Sequence, residues 1–345
     1  MLGLVRASIF MGPRSLGASK AFRSTRFQSM SAIHQPVDTG LTSSATFLVF
    51  SAKKDAESAQ IIRKALSAIS NITKNVSIRQ ANSNLTCVAS IGSNYWDTLT
   101  KLPRPGELHP FPEVRGPKHT AVSTPGDLLF HIRSDRRDMC FEFERQLTDL
   151  LGDAVHLEDQ TVGFRYWDAR DLLGFVDGTA NPVGELDVQN AVMAIEADGD
   201  APATGGSYVV IQKYLHDLKA WKALSTEQQE AIIGRTKLDN VEIDDVEEGK
   251  QQAHKTLATI EDDSGIEHDI LRDNMPFGSP SSGEYGTYFI AYSRHLWVVE
   301  KMMERMFIGN PPGSGLYDRI LDYSIPVKGA TFFAPTSRAL EALGD

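Results

Sequence analysis

Asp127-Leu-Leu-Phe-His-Ile-Arg133, then Arg136 to Leu151, then Val155-His-Leu-Glu-Asp-Gln-Thr-Val-Gly-Phe164, is the stretch that decides the fold. Its first piece is short, apolar and β-rich, which reads as a strand. The middle piece holds neither Pro nor Gly and reads as a helix. The third piece is a strand again. Upstream the same order occurs once more. Thr46-Phe-Leu-Val-Phe-Ser51 is a buried strand by pattern, and Asp55 to Ile69 carries Ile61, Ile62, Leu66 and Ile69 at helical spacing. Leu85-Thr-Cys-Val-Ala-Ser-Ile91 follows as a second strand. Pro103, Pro105, Gly106, Pro110, Pro112, Gly116 and Pro125 mark the loop between the two β-α-β units.

The second half repeats this alternation. Gly206 to Tyr214 and Tyr285 to Ser293 read as strands, and Ala330 to Ala334 as a closing one. Helix signals fall in Asp217 to Leu224, in Glu227 to Arg235 behind a capping box at Ser225, and in His295 to Phe307. The alternation predicts an α+β protein of two ferredoxin-like β-α-β units joined around residues 165–205. The expected divisions are a targeting leader over 1–40, a first domain over 41–170 and a second over 171–340.

The bulk numbers exclude several classes. A formal charge of −10 leaves no basic stripe for nucleic acid, and no apolar run is long enough for membrane insertion. Cys87 and Cys140 lack the spacing of a thiolate metal site or a disulfide framework and read as buried free thiols. From Met1 to Pro36 there is no acid, while Arg6, Arg14, Lys20, Arg23 and Arg26 lie among Ser, Ala, Leu and Phe. That composition predicts a mitochondrial address, with a cytoplasmic form starting at Met30 as the alternative.

Two segments carry the chemistry. Gly174-Phe-Val-Asp177-Gly178-Thr-Ala-Asn-Pro182 holds an acid in a tight turn, and Leu271-Arg272-Asp-Asn274-Met-Pro-Phe-Gly278 follows almost one hundred residues later. Asp-Gly alone is a common turn pair whose acid caps its own backbone. Arg272 and Asn274, two residues apart, project to one face of an extended segment. Together, in order and spacing, these residues resemble the dye-decolorizing peroxidase family, and within it the class B group. The resemblance covers roughly residues 45–340.

The resemblance implies a dimeric α+β barrel-type arrangement of the two units, with haem b (iron protoporphyrin IX) held in the C-terminal half. It implies a haem peroxidase that reduces hydrogen peroxide and oxidises a small organic donor, dye-like or phenolic, and that forms a homo-oligomer. Asp177 becomes the acid–base group, Arg272 the charge stabiliser and Asn274 the group that places peroxide. Nine histidines are present, so the axial ligand has to be chosen. His268 falls on the same face as Arg272 if that segment is extended. His254, eighteen residues before Arg272, matches the family's proximal His, with Asp318 as its partner acid and Asp322 as the alternative. Arg294 and Lys255 are candidates for the propionates, and Tyr166, Trp167, Trp96 and Trp297 for passing electrons to bulky donors. A haem carrier or haem-iron-handling protein on the same fold is the rival reading, since it needs His254 but gains little from Asp177 with Arg272. An Asp in place of a His base predicts activity at acid pH, unless burial raises its pKa from about 3.9.

Overall fold

The computed structural model describes residues 34–247 and 249–344. In the first half, strand β1 (Ser44–Ala52) is followed by helices α1 (Ala56–Ser67) and α2 (Ile69–Ser77) and strand β2 (Thr86–Gly92). Strand β3 (Leu128–Ser134), helix α3 (Arg137–Leu151) and strand β4 (Val155–Phe164) complete it. The second half opens with helix α4 (Glu185–Val192) and strand β5 (Ser207–His216). Helices α5 (Thr226–Ile233) and α6 (His254–Leu257) then lead to strands β6 (Leu271–Arg272), β7 (Met275–Ser279) and β8 (Glu284–Ser293). Helix α7 (Leu296–Ile308) and strand β9 (Ser324–Ala334) end the set.

Local chemistry accounts for the helix starts. Asp55 caps α1 by accepting from the Ser58 amide, and the helix buries Ile62, Ala65 and Leu66 on one side. Ser225 and Gln228 exchange hydrogen bonds at the start of α5, the capping box visible in the sequence.

All strand pairs are antiparallel, in the order β4-β1-β3-β2-β9-β5-β8-β6, with β7 also on β8. Counting β6 and β7 as one interrupted strand, each half runs fourth, first, third, second. That is the ferredoxin-like topology twice over. The halves meet where β2 pairs with β9, through Phe332 opposite Gly92 and Phe333 opposite Ile91. The outer strands also come together, because an ideal Cβ on Gly163 of β4 would lie 2.3 Å from the Met275 Cβ of β7. Only a glycine permits that approach. The sheet therefore curls into a barrel.

Alternate residues of each strand serve the two faces. Phe47, Val49, Val88 and Leu129 from the first half pack inside with Val209, Ile211, Ile290 and Phe332 from the second. On the outer face Leu48, Phe50, Phe130 and Val210 meet the helices through Ile62, Leu66, Phe143, Leu147, Met303 and Phe307. Each such buried side chain contributes about 1.5–3 kcal/mol of burial.

Three expectations need adjustment. Strand β9 begins at Ser324, well before Ala330. The short pair β6 and β7, on which Arg272 and Met275 lie, is absent from the strand pattern because Asp273, Asn274 and Pro276 interrupt it. Of the expected leader, residues 1–33 lie outside the described residues. From His34 onward the chain belongs to the fold, since the Gln35 side chain bonds Ala89 N and O at 2.8 and 2.7 Å and Val37 is buried.

Candidate active site

The Asp177 loop is a small hairpin. Asp171 N donates to Phe175 O at 2.8 Å, Phe175 N to Asp171 Oδ1 at 2.9 Å, and Asp177 N to Ala169 O at 2.9 Å. Gly174 and Gly178 take φ of 95° and 76°, a region closed to most side chains. Leu173 and Phe175 anchor the hairpin on Trp221 and Ile233, and the Trp221 indole donates to Leu173 O at 2.9 Å. The turn thus aims Asp177 while its apolar neighbours hold it down. Asp177 Oδ1 accepts from its own next amide, Gly178 N, at 2.7 Å, and from Asn274 Nδ2 at 3.4 Å.

The two motifs are clamped together by Asn181. Its Nδ2 donates to Arg272 O at 2.8 Å and its Oδ1 accepts from Arg272 N at 3.0 Å. The Arg272 guanidinium donates to Ala180 O at 3.0 Å. Asn181 was part of the quoted motif, but a contact across ninety-one positions leaves no local pattern. Asp171 carries no sequence signal for a similar reason, since it reads as an ordinary loop acid three residues before Gly174.

His254 opens α6 and its Nδ1 lies 2.7 Å from Asp318 Oδ2. Asp318 is fully buried, and its other oxygen accepts from Ile320 N at 3.0 Å. Asp322 points elsewhere, accepting from His119 Nε2 at 2.9 Å, Arg319 Nε at 2.9 Å and the Tyr317 hydroxyl at 3.0 Å. Between the two acids, Asp318 is the one that touches His254.

Asp177, Arg272, Asn274 and His254 all line one cavity of about 650 Å3, whose apolar walls include Phe175, Ile270, Phe289, Met302, Met303 and Met306. That size and that mix of apolar wall with a few polar groups suit an organic cofactor. A second cavity of about 30 Å3, room for a water-sized molecule, shares Asp177, Arg272 and Asn274 with the first and adds Leu41, Arg165 and Tyr166. The three polar residues stand between the two.

Electrostatics follow from burial. Asp177 is pushed above the usual carboxylate range chiefly by desolvation, which outweighs Arg272, the Gly178 amide and Asn274. Burial also pushes Asp171 up, to about 7. His254 is drawn down by burial but raised on balance by the Asp318 carboxylate. Burial lowers Arg272 despite the nearby Asp177 and Asp269.

The remaining candidates are scattered. His268 lines the large cavity and bonds Asp262 at 3.0 Å. Lys255 also lines it, paired with Glu242 at 2.9 Å and Asp245 at 2.8 Å. Arg294 does not line it, because Asp198 holds its guanidinium. Trp96 is a core residue against Phe333, Trp297 packs on His268, and Trp167 is exposed beside Tyr166.

Residues 34–165 match the Dyp-type peroxidase N-terminal family model and residues 168–339 the C-terminal one. The chain is 48% identical over 314 residues to a dye-decolorizing peroxidase of Rhodococcus erythropolis, covering 91% of this chain and 89% of that protein. It is 48% identical over 302 residues to one of Mycobacterium tuberculosis, covering 88% of each. Among solved structures, DypB of Rhodococcus jostii superposes with a TM-score of 0.85 at 49% identity, covering 90% of this chain and 98% of that one. A variant of the same protein, solved in complex with heme, gives 0.85 at 48%, with the same coverage. Deferrochelatases of Escherichia coli reach only 26% over 289 residues, covering 74% of this chain and 66% of theirs. The relatives at 48–50% identity are bacterial, from Rhodococcus, Mycobacterium, Mycolicibacterium and Brevibacterium, and none points to a mitochondrion. That overturns the mitochondrial address. An acid-free run of Arg and Ser is a compositional signal only and carries no address by itself.

Proposed function

The chain belongs to the dye-decolorizing peroxidase family and is a haem-dependent peroxidase, and from that premise we propose how its own side chains divide the work. The observation that carries the reading is the gathering of Asp177, Arg272, Asn274 and the His254–Asp318 pair around one cavity.

Haem b supplies, when bound, the iron that takes up peroxide and the electrons that break its O–O bond. His254 is the residue to hold it, because Nδ1 is spent on Asp318 and Nε2 remains for the metal. Asp318 accepts the Nδ1 proton, fixes the tautomer and makes the imidazole a stronger donor. Phe289 and the methionines of α7 form an apolar wall suited to a flat macrocycle. Asp177 takes the proton from the near oxygen of peroxide and returns it to the far oxygen, which leaves as water. Arg272 stabilises the negative charge that builds on that leaving oxygen. Asn274, bonded to Asp177, holds the carboxylate and the peroxide in register. Two one-electron donations from a small organic donor then complete the cycle. Self-association into a homo-oligomer belongs to the same proposal and is tested by light scattering.

The test is an absorption spectrum of the haem-loaded protein before and after one equivalent of hydrogen peroxide. The wild type should shift its Soret band. His254→Ala should lose haem, while Asp177→Ala and Arg272→Ala should keep it and respond about 10²–10³-fold more slowly. Haem bound with no response to peroxide in the wild type would return the carrier reading.

A further inference from the structure

Asp273 stands between Arg272 and Asn274, so an extended backbone sends its side chain the opposite way. Arg272 and Asn274 line the large cavity and Asp273 does not; Asp273 edges only the small one, and its side chain is buried at 1% exposure. There it meets Arg133 of β3, also fully buried, with Nη1 2.7 Å from Asp273 Oδ2. The other terminal nitrogen of Arg133 donates to Thr39 Oγ1 at 2.7 Å and to Pro36 O. His131, two residues earlier on the same strand face, holds Nε2 3.8 Å from Asp273 Oδ2 and bonds the Tyr292 hydroxyl through Nδ1 at 2.8 Å. Among the described residues Arg133 Nε, His131 Nε2 and Asp273 Oδ1 have no hydrogen-bond partner.

Stability does not explain this cluster. Replacing a buried ion pair by apolar side chains of similar volume is often neutral or stabilising. Its place in the fold gives another reason. Strand β6 is only two residues long and pairs with β8 through Leu271 and Arg272 alone. Asn181 holds its backbone on one side, and Asp273 N donates to Ile290 O at 3.1 Å. Leu271 packs with the first half in the barrel core, and among the described residues the hydrogen bond that ties residues 271–274 to that half is Arg133 on Asp273.

We propose that Arg133 and Asp273 are positioning residues for the active site: the first half of the chain, through this buried pair, sets the rotation of residues 272–274 and so keeps Arg272 and Asn274 turned toward Asp177. The proposal rests on the reading of Arg272 and Asn274 given above. Neither Arg133 nor Asp273 touches substrate, and both act through the backbone between them.

The test uses the full, haem-loaded chain with three variants: Asp273→Asn, Arg133→Met combined with Asp273→Leu, and Arg272→Leu as reference. The readouts are fluoride affinity of the ferric protein, which senses donors such as Arg272 without turnover, the second-order rate with peroxide, KM for the organic donor, and Tm. The double variant should keep haem and Tm yet lose about ten-fold in both fluoride affinity and peroxide rate, with the donor KM unchanged. Asp273→Asn, which keeps the shape, should lose in the same two readouts and decides the matter if the double variant does not fold. Wild-type fluoride affinity and peroxide rate in these variants, beside a defective Arg272→Leu, would overturn the positioning role alone. A silent Arg272→Leu would overturn both it and the reading beneath it.

Discussion

Asp177 is held in a state that suits chemistry more than stability. Its carboxyl is buried and its pKa lies above the ordinary carboxylate value. A group whose pKa rises on folding contributes stability that is present below its unfolded pKa and lost as pH rises through the folded one. Above that raised pKa the charged Asp177 is therefore a net cost to the fold. Asp177→Asn is expected to raise Tm at pH 7, while lowering the peroxide rate by about 10²–10⁴-fold. The wild-type kcat/KM for peroxide should fall on the acid side with a midpoint above that of a free carboxylate, because only the ionised form accepts the proton. That limb should vanish in Asp177→Asn. A lowered Tm in the variant, or a rate independent of pH from the acid range upward, would count against Asp177 as the base. The acid preference expected from Asp as residue type is thus moderated by burial, which no residue type reveals.

At the scale of elements, Gly163 shows how one residue shapes a barrel. Gly163→Ala keeps an ordinary extended backbone but places a Cβ 2.3 Å from that of Met275. Overpacking of this kind is expected to cost about 1–3 kcal/mol, read from the denaturation midpoint. Met275→Gly removes the opposing Cβ along with a buried side chain, so Gly163→Ala made on that background should cost less than it does in the wild type. An unchanged midpoint in Gly163→Ala would mean that β4 and β7 do not meet. The long strands and amphipathic helices were legible because their periodicities of two and about 3.6 stand out locally. The pair β6 and β7 was not, since Asp273, Asn274 and Pro276 break the apolar pattern for reasons that lie in other elements. Asp273 answers Arg133, Asn274 answers Asp177, and Arg272 is gripped by Asn181. The choice between Asp318 and Asp322 was open for the same reason. Only the fold brings Lys118 and His119 to Asp322 and leaves Asp318 with His254.

For the whole molecule, the two halves share more than a seam. Their direct sheet pairing is two residues long, too little to couple them. The barrel interior is different, because Phe47, Val49, Val88 and Leu129 pack there against Val209, Ile211, Ile290 and Phe332. Unfolding either half would expose the other's apolar face, at about 25 cal/mol per Å2. The halves are therefore expected to unfold as one cooperative unit, although the cofactor cavity is built largely from second-half residues. Ligand binding stabilises whatever unfolds with its site. Haem loading should then slow hydrogen exchange in the central amides of β1 and β3 by the same factor as in β5 and β8. Calorimetry should show one transition whose midpoint rises with haem. Protection confined to β5 and β8, with β1 and β3 exchanging as in the haem-free protein, would mean two separable domains. The barrel core would then be an interface between them, and Arg133 could not hold residues 272–274 when its own half opens independently.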